Sequence, residues 1–291
     1  RSSAASDVYK RQIYIFFLLL PFSIWSACDK SNDPSRVVIA GGSITEIVYF
    51  LEYEDKLVGI DVTSNFPEET SEIPSIGYVR ALSTEGILSL KPSLILGEED
   101  MGPPLVIDQL KLTGMDLKII NEDRSAQGIL EKIECVSKIL GITTQERLNK
   151  IKNLTRDINL LQSIAKKNED KDIRIMLILN MQGTSPIVAG QNTSGDGFIK
   201  MVGGKNVASN FEGWKPISSE SIIAYDPHFI IITERGMSSF SDIESLSNTT
   251  ALKFTNAAQL GKIYSEDGMA MLGFGVRTIK TALKFAEIFS K

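Results

Sequence analysis

The sequence predicts an α/β fold made of two Rossmann-like α/β lobes joined by one long helix. From residue 36 onward, short apolar strands alternate with helical patterns, which is typical of mostly parallel sheets covered by helices. A stretch without Gly or Pro, 143–168, interrupts this alternation and carries apolar residues every three or four positions. At 1.5 Å per residue, such a helix would extend about 35–40 Å, which is enough to cross between lobes. The predicted N-terminal lobe is therefore 36–142, the interlobe helix 143–168 and the C-terminal lobe 169–291.

Capping residues mark the helices of the N-terminal lobe. Ser43 is expected to cap the first helix, with Glu46 three residues later, as in a capping box. Ser83 is expected to cap the second helix, whose first turn contains Glu85 and which ends before Pro92. The predicted strands of this lobe are 36–40, 56–61, 93–97 and 116–120, and the two further helices are 105–114 and 125–141.

The C-terminal lobe repeats part of this pattern. Its predicted strands are 173–180, 227–233 and 263–265, and its predicted helices are 195–204, 215–226 and 275–291. A shift of 135 residues superimposes a capped helix and the strand after it, through the pairs Ser83/Ser218, Glu85/Glu220, Ile87/Ile222, Pro92/Pro227 and Ile95/Ile230. The repeat indicates two like lobes, each with a glutamate at the start of a capped helix.

The first 27 residues have the features of an export signal. Basic Lys10 and Arg11 precede an apolar run, 13–25, that is shorter than the roughly 20 residues of a membrane span. The small pair Ser26-Ala27 and then Cys28 are typical of bacterial lipoproteins, in which the cysteine thiol is lipidated. Residues 1–12 fit no such pattern and resemble an assembly artefact, so 1–27 are excluded from the fold. An ordinary signal peptide followed by a chance cysteine is the alternative.

On the lipoprotein interpretation, the mature protein is periplasmic and anchored to the membrane through Cys28. Residues 28–35 then form a lipidated, flexible tether. Cys135 is the other cysteine of the chain, and it lies on the apolar face of a predicted helix. We expect it to be buried and inert, without an intrachain disulfide.

The amino-acid composition argues against several functional classes. The net charge of −5 and the pI near 5.2 argue against a nucleic-acid partner. A single histidine, His228, argues against the histidine-rich cleft of a zinc or manganese carrier. No second histidine, usable cysteine or Gly-rich phosphate loop completes a catalytic constellation, so the sequence does not predict an enzyme.

Ligands of parallel sheets bind at the carboxyl ends of the strands, and in a two-lobed protein these ends face a cleft. Glu85 and Glu220 form a symmetric pair, one in each lobe, whereas a Tyr-x-Arg sequence precedes the capped helix in the first lobe alone. The predicted cleft loops carry Gly42, Ser43, Tyr78, Arg80, Met181, Gln182 and Trp214.

Several segments together resemble one family, the haem-binding substrate-binding proteins of bacterial ABC importers, of the haemin-transport type. They are "GGSITEIVYFLEYEDKLVGID", "IGYVRALSTEGILSLKPSLIL", "GPP", "LNMQGTSPIVAG", "FEGWKPISSESII" and "LGFGVRT". The resemblance implies a class III periplasmic binding protein, with two lobes, one bridging helix and limited closure on the ligand. It also implies that haem b is carried to a permease dimer with its ATPase. A siderophore- or cobalamin-binding protein of the same fold remains the alternative.

The resemblance places the haem-iron ligand on Tyr78 and its partner on Arg80. Tyrosine is an axial ligand in some haem proteins, and a neighbouring guanidinium favours the phenolate form that binds ferric iron. Arginine is also charged at every relevant pH. A surface tyrosine beside an ordinary helix-flanking arginine is the structural alternative.

The remaining site residues are less specific. Trp214, Met181 and Met101 are candidates to cover the porphyrin, although the family usually has tyrosine in place of Trp214, and methionines in such loops are often ordinary packing residues. Arg277 is predicted either to pair with a haem propionate or to bind a helix C-terminus. The backbone N–H groups of "GGS" could accept a carboxylate. By resemblance, Glu85 and Glu220 dock onto arginines of the permease, although each could also serve only its own helix.

Overall fold

The N-terminal lobe is built on four parallel strands in the order β2-β1-β3-β4. The computed structural model describes residues 28–182 and 185–291. The strands of this lobe are β1 (Val37–Ala40), β2 (Leu57–Ile60), β3 (Leu94–Glu98) and β4 (Asp116–Ile120). Its helices are α1 (Gly42–Phe50), α2 (Thr84–Ser89), α3 (Pro104–Leu112) and α4 (Ala126–Leu140).

The C-terminal lobe has a mixed sheet in the order β10-β9-β5-β6-β8, with β7 paired to β5. Its strands are β5 (Arg174–Gln182), β6 (Ser185–Ala189), β7 (Lys205–Asn206), β8 (Trp214–Pro216), β9 (Phe229–Thr233) and β10 (Ile263–Glu266). Its helices are α6 (Ser194–Met201), α7 (Ser219–Tyr225), α8 (Glu234–Met237), α9 (Ile243–Ser247), α10 (Asn256–Gln259), α11 (Gly268–Leu272) and α12 (Val276–Ser290).

The long helix α5 (Thr144–Glu169) lies between the lobes, so the predicted architecture is confirmed. Thr143 caps it through a capping box with Glu146. Near its other end, the amide of buried Asn168 donates to the backbone oxygens of Val202 and Ala286. Buried residues of both lobes and of α5 form one continuous apolar cluster, so the lobes share a core. The exact lobe boundaries stay a prediction.

The repeated helix–strand unit is confirmed. The hydroxyl of Ser83 accepts the N–H of Gly86 at the start of α2, and that of Ser218 accepts the N–H of Ser221 at the start of α7. Ile87 and Ile222 are each fully buried beneath these helices. The two lobes therefore present similar helix starts, as the shift of 135 residues predicts.

The predicted capping box at Ser43 is wrong. Helix α1 begins two residues earlier, after Gly41, whose φ of 148° favours glycine, and no side chain caps it. Ser43 instead lies in the first turn and its hydroxyl donates to Glu98, while the carboxylate of Glu46 binds Arg277. Tertiary partners hold both side chains that would have formed the box.

The second lobe contains strands that the sequence did not predict. β5 continues to Gln182 because it pairs with β6, and Trp214–Pro216 pairs with β6 as strand β8. Met181, Gln182 and Trp214 therefore lie on strands, and Gly42 and Ser43 lie in a helix, not on loops as predicted. The predicted helix at 215–226 begins only at Ser219. Such short strands are defined by their pairing partners, which a local pattern does not reveal.

Cys28 and Cys135 form a disulfide, so the expectation of no intrachain disulfide is wrong. Cys135 is buried, as predicted, but it is not a free thiol. A sulfur in a disulfide cannot also carry a thioether-linked lipid, so the disulfide contradicts lipidation of Cys28 in this form of the chain. The tether is also not free, because Ser31 donates to Asp116 and to the chain around α4.

The signal-like segment 13–25, and all of 1–27, lie outside the described residues. Across 28–182 and 185–291, no helix is both long and apolar enough to cross a membrane.

Candidate functional site

Tyr78 lies at the carboxyl-end edge of the first sheet. A short segment beside β2 pairs Ser75 with Ile60, and Gly77, with a φ of 93°, then turns the chain so that Tyr78 follows. Tyr78 is 45% exposed, whereas the next residue, Val79, is buried at 4% exposure. The buried valine thus anchors the turn and leaves the phenol ring in solvent.

A second loop is tied against this turn by backbone hydrogen bonds. The N–H of Gly102 donates to Val79 O over 2.9 Å, and the N–H of Leu82 donates to Gly102 O over 2.9 Å. This loop follows β3 and brings Asp100 beside Arg80. Both Nε and Nη2 of Arg80 donate to Oδ2 of Asp100, over 2.8 and 2.6 Å. The structure thus brings Tyr78 and Arg80 to the same turn and adds an acidic residue that the sequence analysis missed.

The N-terminus of α1 is occupied by groups of the protein itself. Gly41 N donates to Asp61, Gly42 N donates to Thr63, and Ser43 N donates to Glu98. Gly42 and Ser43 are both buried. These "GGS" backbone groups, which were predicted to accept a ligand carboxylate, are thus already paired with internal oxygens.

A buried lysine connects this helix start to the second lobe. Lys132 Nζ donates to Ser43 Oγ over 2.9 Å, to Glu122 over 3.0 Å and to the backbone oxygen of Phe274 over 3.3 Å. Its side chain is 1% exposed. Burial raises the pKa of the nearby Glu98 carboxyl to about 7, against the opposing effects of Lys132 and Ser43. The sequence analysis gave no signal for Lys132, because it lies on an otherwise ordinary helix pattern.

Arg277 makes another charged contact between the lobes. Its Nε donates to Glu46 over 2.9 Å and its Nη1 to Asp267 over 2.5 Å. The guanidinium also lies 4.1 Å from the ring centroid of Phe66. Burial raises the pKa of Glu46, which Arg277 partly offsets. Neither predicted partner of Arg277, a propionate or a helix C-terminus, matches these contacts, and a propionate would have to compete with two carboxylates.

The other predicted pocket residues pack largely within their own lobes. Trp214 packs against the shared core and lies close to Gly195 of α6. Met181 packs against the apolar core on the other face of the second sheet, and Met101 is 6% exposed, with its sulfur against Gly97. Gln182, at the end of β5, is exposed. These contacts favour the packing alternative for both methionines and give Trp214 a packing role as well.

Glu85 and Glu220 are both exposed, each in the first turn of its capped helix. A backbone hydrogen bond and one from Ser218 lower the pKa of Glu220. The pair thus offers one solvent-facing carboxylate on each lobe.

Two cavities of about 600 and 480 Å³ have linings that do not include Tyr78. The larger is lined only by residues 60–75 of the first lobe, and the second lies between the start of α4, α5 and α6. Val62, whose N–H donates to the oxygen of Gly77, lines the larger cavity, and Tyr78 itself is 45% exposed.

The model of a family described as "Periplasmic binding protein" matches residues 37–268. The chain belongs to this family. The matched range spans most of both lobes and the whole of the long helix α5 between them.

Two curated relatives cover most of the chain. The uncharacterized ABC transporter substrate-binding lipoprotein YvrC of Bacillus subtilis (strain 168) is 25% identical over 88% of this chain and 80% of its own length. A vitamin B12-binding protein of Vibrio parahaemolyticus is 26% identical over 76% of this chain and 78% of its own length. With the family match, these relatives indicate an extracytoplasmic substrate-binding protein of an ABC transporter.

Solved structures add two heme-binding proteins. The periplasmic heme-binding protein RhuT of Roseiflexus sp. RS-1 is 30% identical, with a TM-score of 0.78, over 88% of this chain and 98% of that one. The periplasmic heme-binding protein HutB of Vibrio cholerae is 31% identical, with a TM-score of 0.77, over 88% and 99%. The protein therefore has the fold of both heme-binding and vitamin B12-binding relatives.

Proposed function

We propose that this protein binds haem at the rim between its lobes, with Tyr78 as the axial ligand of the ferric iron, and delivers it to an ABC importer. The observation that carries the proposal is the exposed phenol of Tyr78, placed by a buried anchor two residues before a fixed arginine. A phenolate oxygen is an anionic donor suited to ferric iron. The names of the structural relatives at 30% and 31% identity support the same ligand.

The surroundings of Tyr78 suit a flat apolar ligand. Val62 donates its N–H to Gly77 O and is 58% exposed, and Leu105, at the start of α3, is 67% exposed. Both lie on segments tied to the Tyr78 turn. Exposed apolar side chains beside a metal-binding phenol would lose water when a porphyrin face covers them, which favours binding.

Vitamin B12 is the second candidate, because curated relatives at 26% identity and below bear that name. The two ligands differ in whether Tyr78 is expected to coordinate their metal. Ferric haem has an open axial position that a phenolate can fill, whereas cobalamin needs no tyrosine on its cobalt. The role of Tyr78 therefore separates the candidates.

The test is an absorption titration of the protein with hemin and, in parallel, with cyanocobalamin. We expect saturable binding of hemin, strongly weakened in Tyr78→Ala and unchanged in Tyr49→Phe, a control on α1 of the same lobe. Binding of cyanocobalamin alone would overturn the proposal in favour of the second candidate. Hemin binding that is equal in wild type and Tyr78→Ala would keep the ligand and overturn the site.

The proposed delivery uses Glu85 and Glu220, whose carboxylates face solvent on equivalent helices of the two lobes. Two negative charges, one per lobe, match a permease dimer that offers one basic surface per subunit. Neither glutamate forms an ion pair among the described residues, so both are available to a partner. An anchor at Cys28 is not needed for this proposal.

A further inference from the structure

Asp100 reaches Arg80 through the backbone geometry of two loops. Met101 N donates to Glu98 O over 3.0 Å and closes a turn that projects Asp100 from the end of β3. The next residue, Gly102, is hydrogen-bonded to Val79, one residue before Arg80. The position of the carboxylate beside the guanidinium is thus set by main-chain contacts and not by two flexible side chains alone.

The contact occupies one edge of the guanidinium. Oδ2 of Asp100 accepts from Nε and Nη2, whereas no hydrogen bond from Nη1 is found within the part of the chain that the structure describes. The guanidinium is therefore held on one edge and open on the other.

Without this contact, Arg80 would be a mobile surface side chain, because 62% of it is exposed even with Asp100 in place. Arginine has several rotatable bonds, and fixing such a side chain only when a ligand binds weakens the affinity. A partner that holds the Arg80 side chain before the ligand binds removes this entropic cost of binding. Asp100 is the acidic residue that the structure places beside Arg80.

We propose that Asp100 is a positioning residue for the Tyr78–Arg80 pair, holding the Nε edge of Arg80 so that Nη1 faces the phenolate or a ligand carboxylate. This inference rests on the proposed haem-binding function and deepens it. Asp100 touches neither the iron nor the porphyrin in this account, and acts only through Arg80.

A double-mutant cycle tests the proposal, with hemin titrations of wild type, Asp100→Asn, Arg80→Ala and the double variant. We expect Asp100→Asn to raise the Kd about three- to tenfold, since one arginine must then be ordered on binding, and to shift the phenolate-to-iron absorption band. It should have no further effect when Arg80 is alanine. Asp108→Asn, an exposed change of the same charge on α3, should bind as wild type.

Three outcomes would overturn the proposal. In the first, Asp100→Asn and Asp108→Asn bind hemin with the same Kd. In the second, Asp100→Asn raises the Kd by the same factor in the Arg80→Ala background as in wild type. In the third, Asp100→Asn binds hemin more tightly than wild type, which would mean that Asp100 competes with the ligand for Arg80.

A measurement without ligand tests whether Asp100 holds Arg80 even if wild type binds no hemin. In that case the proposed function is wrong, but the contact between Asp100 and Arg80 can still be tested. In an amide-edited NMR spectrum, the Arg80 Nε–H signal, assigned by its loss in Arg80→Ala, should be shifted and protected from solvent exchange in wild type. Asp100→Asn should move it to the position of a free arginine. A signal that is the same in both proteins would show that Asp100 does not hold Arg80.

Discussion

Arg277 of the second lobe donates from Nε to Glu46 of the first lobe over 2.9 Å, and the Glu46 side chain is only 4% exposed. The residues are 231 positions apart in sequence. A buried carboxylate that depends on one cation from the other lobe makes the lobe contact sensitive to either partner. Two further cations make hydrogen bonds between the lobes: Lys132 donates to Phe274 O, and Arg124 donates from Nη1 to Asn192 O. Together they fix the relative position of the lobes through charged groups as well as through the shared core.

We predict that Arg277→Leu destabilises the protein by about 3–5 kcal/mol, because Glu46 is then buried without its cation. The double variant Glu46→Leu/Arg277→Leu should lose clearly less than the sum of the two single changes. Urea denaturation of the four proteins measures this. Strict additivity would show that the pair contributes no coupling between the lobes.

Stability should fall as the pH rises through neutrality because of Glu98. Its pKa in the folded protein is about 7, raised by burial from 4.5, so the folded state binds a proton more tightly than the unfolded chain. The stabilisation is complete below the unfolded pKa and is lost as the pH rises through the folded one, by at most roughly 3 kcal/mol. Between pH 5 and pH 8, Glu98→Gln should lose less stability than wild type.

Urea denaturation at both pH values measures this difference. Glu99→Gln, an adjacent and exposed charge-matched variant, should behave as wild type. Parallel losses in wild type and Glu98→Gln would contradict the prediction.

The Cys28–Cys135 disulfide closes a loop of 107 residues, and reducing it should destabilise the protein by about 4–5 kcal/mol in the loop-entropy account. The measurement is thermal unfolding with and without reductant, and Cys135→Ser should show no effect of the reductant. The intact mass of the protein, purified from membranes and from the soluble fraction, shows whether Cys28 carries a lipid or forms the disulfide. A lipid mass on Cys28 with a free Cys135 thiol would exclude the disulfide in the exported protein.

Glu85→Ala/Glu220→Ala should abolish most haem uptake in cells that depend on this protein, while hemin affinity stays within about twofold, because the pair is exposed and outside the Tyr78 site. Uptake of radiolabelled haem measures the loss of transport, and hemin titration measures the affinity. Glu69→Ala/Glu287→Ala removes two other exposed carboxylates, one from each lobe, and should transport as wild type. Equal uptake by all three proteins would show that these glutamates do not dock.

Local signals in the sequence predicted the parts of the fold that depend on local interactions. Ser83 and Ser218 each cap a helix through a residue three positions later, so the chain itself contains the whole motif. The Ser43–Glu46 box failed because Glu46 pairs with Arg277 across the molecule, and no window around Glu46 contains that partner. The Cys28–Cys135 pairing is equally non-local.

The residues of the candidate site also differ in whether the local sequence could predict their positions. Tyr78 and Arg80 are two residues apart, so their common turn was visible in the sequence. Asp100 could have been noticed as an acidic residue just after strand β3, at the edge where ligands bind, but only the hydrogen bond between Gly102 and Val79 shows that it reaches Arg80. The strand and helix pattern predicted Trp214 on a cleft loop, but pairing of β8 with β6 places it on a strand against the core.

The most direct test of the central claim is the resonance Raman spectrum of the ferric haem complex. If Tyr78 binds the iron as phenolate, the wild-type and Tyr49→Phe complexes show iron–phenolate vibrations, and the Tyr78→Phe complex does not. Phenolate vibrations that persist in Tyr78→Phe, or a wild-type complex without them, would contradict the account, because the iron would then be held by another group.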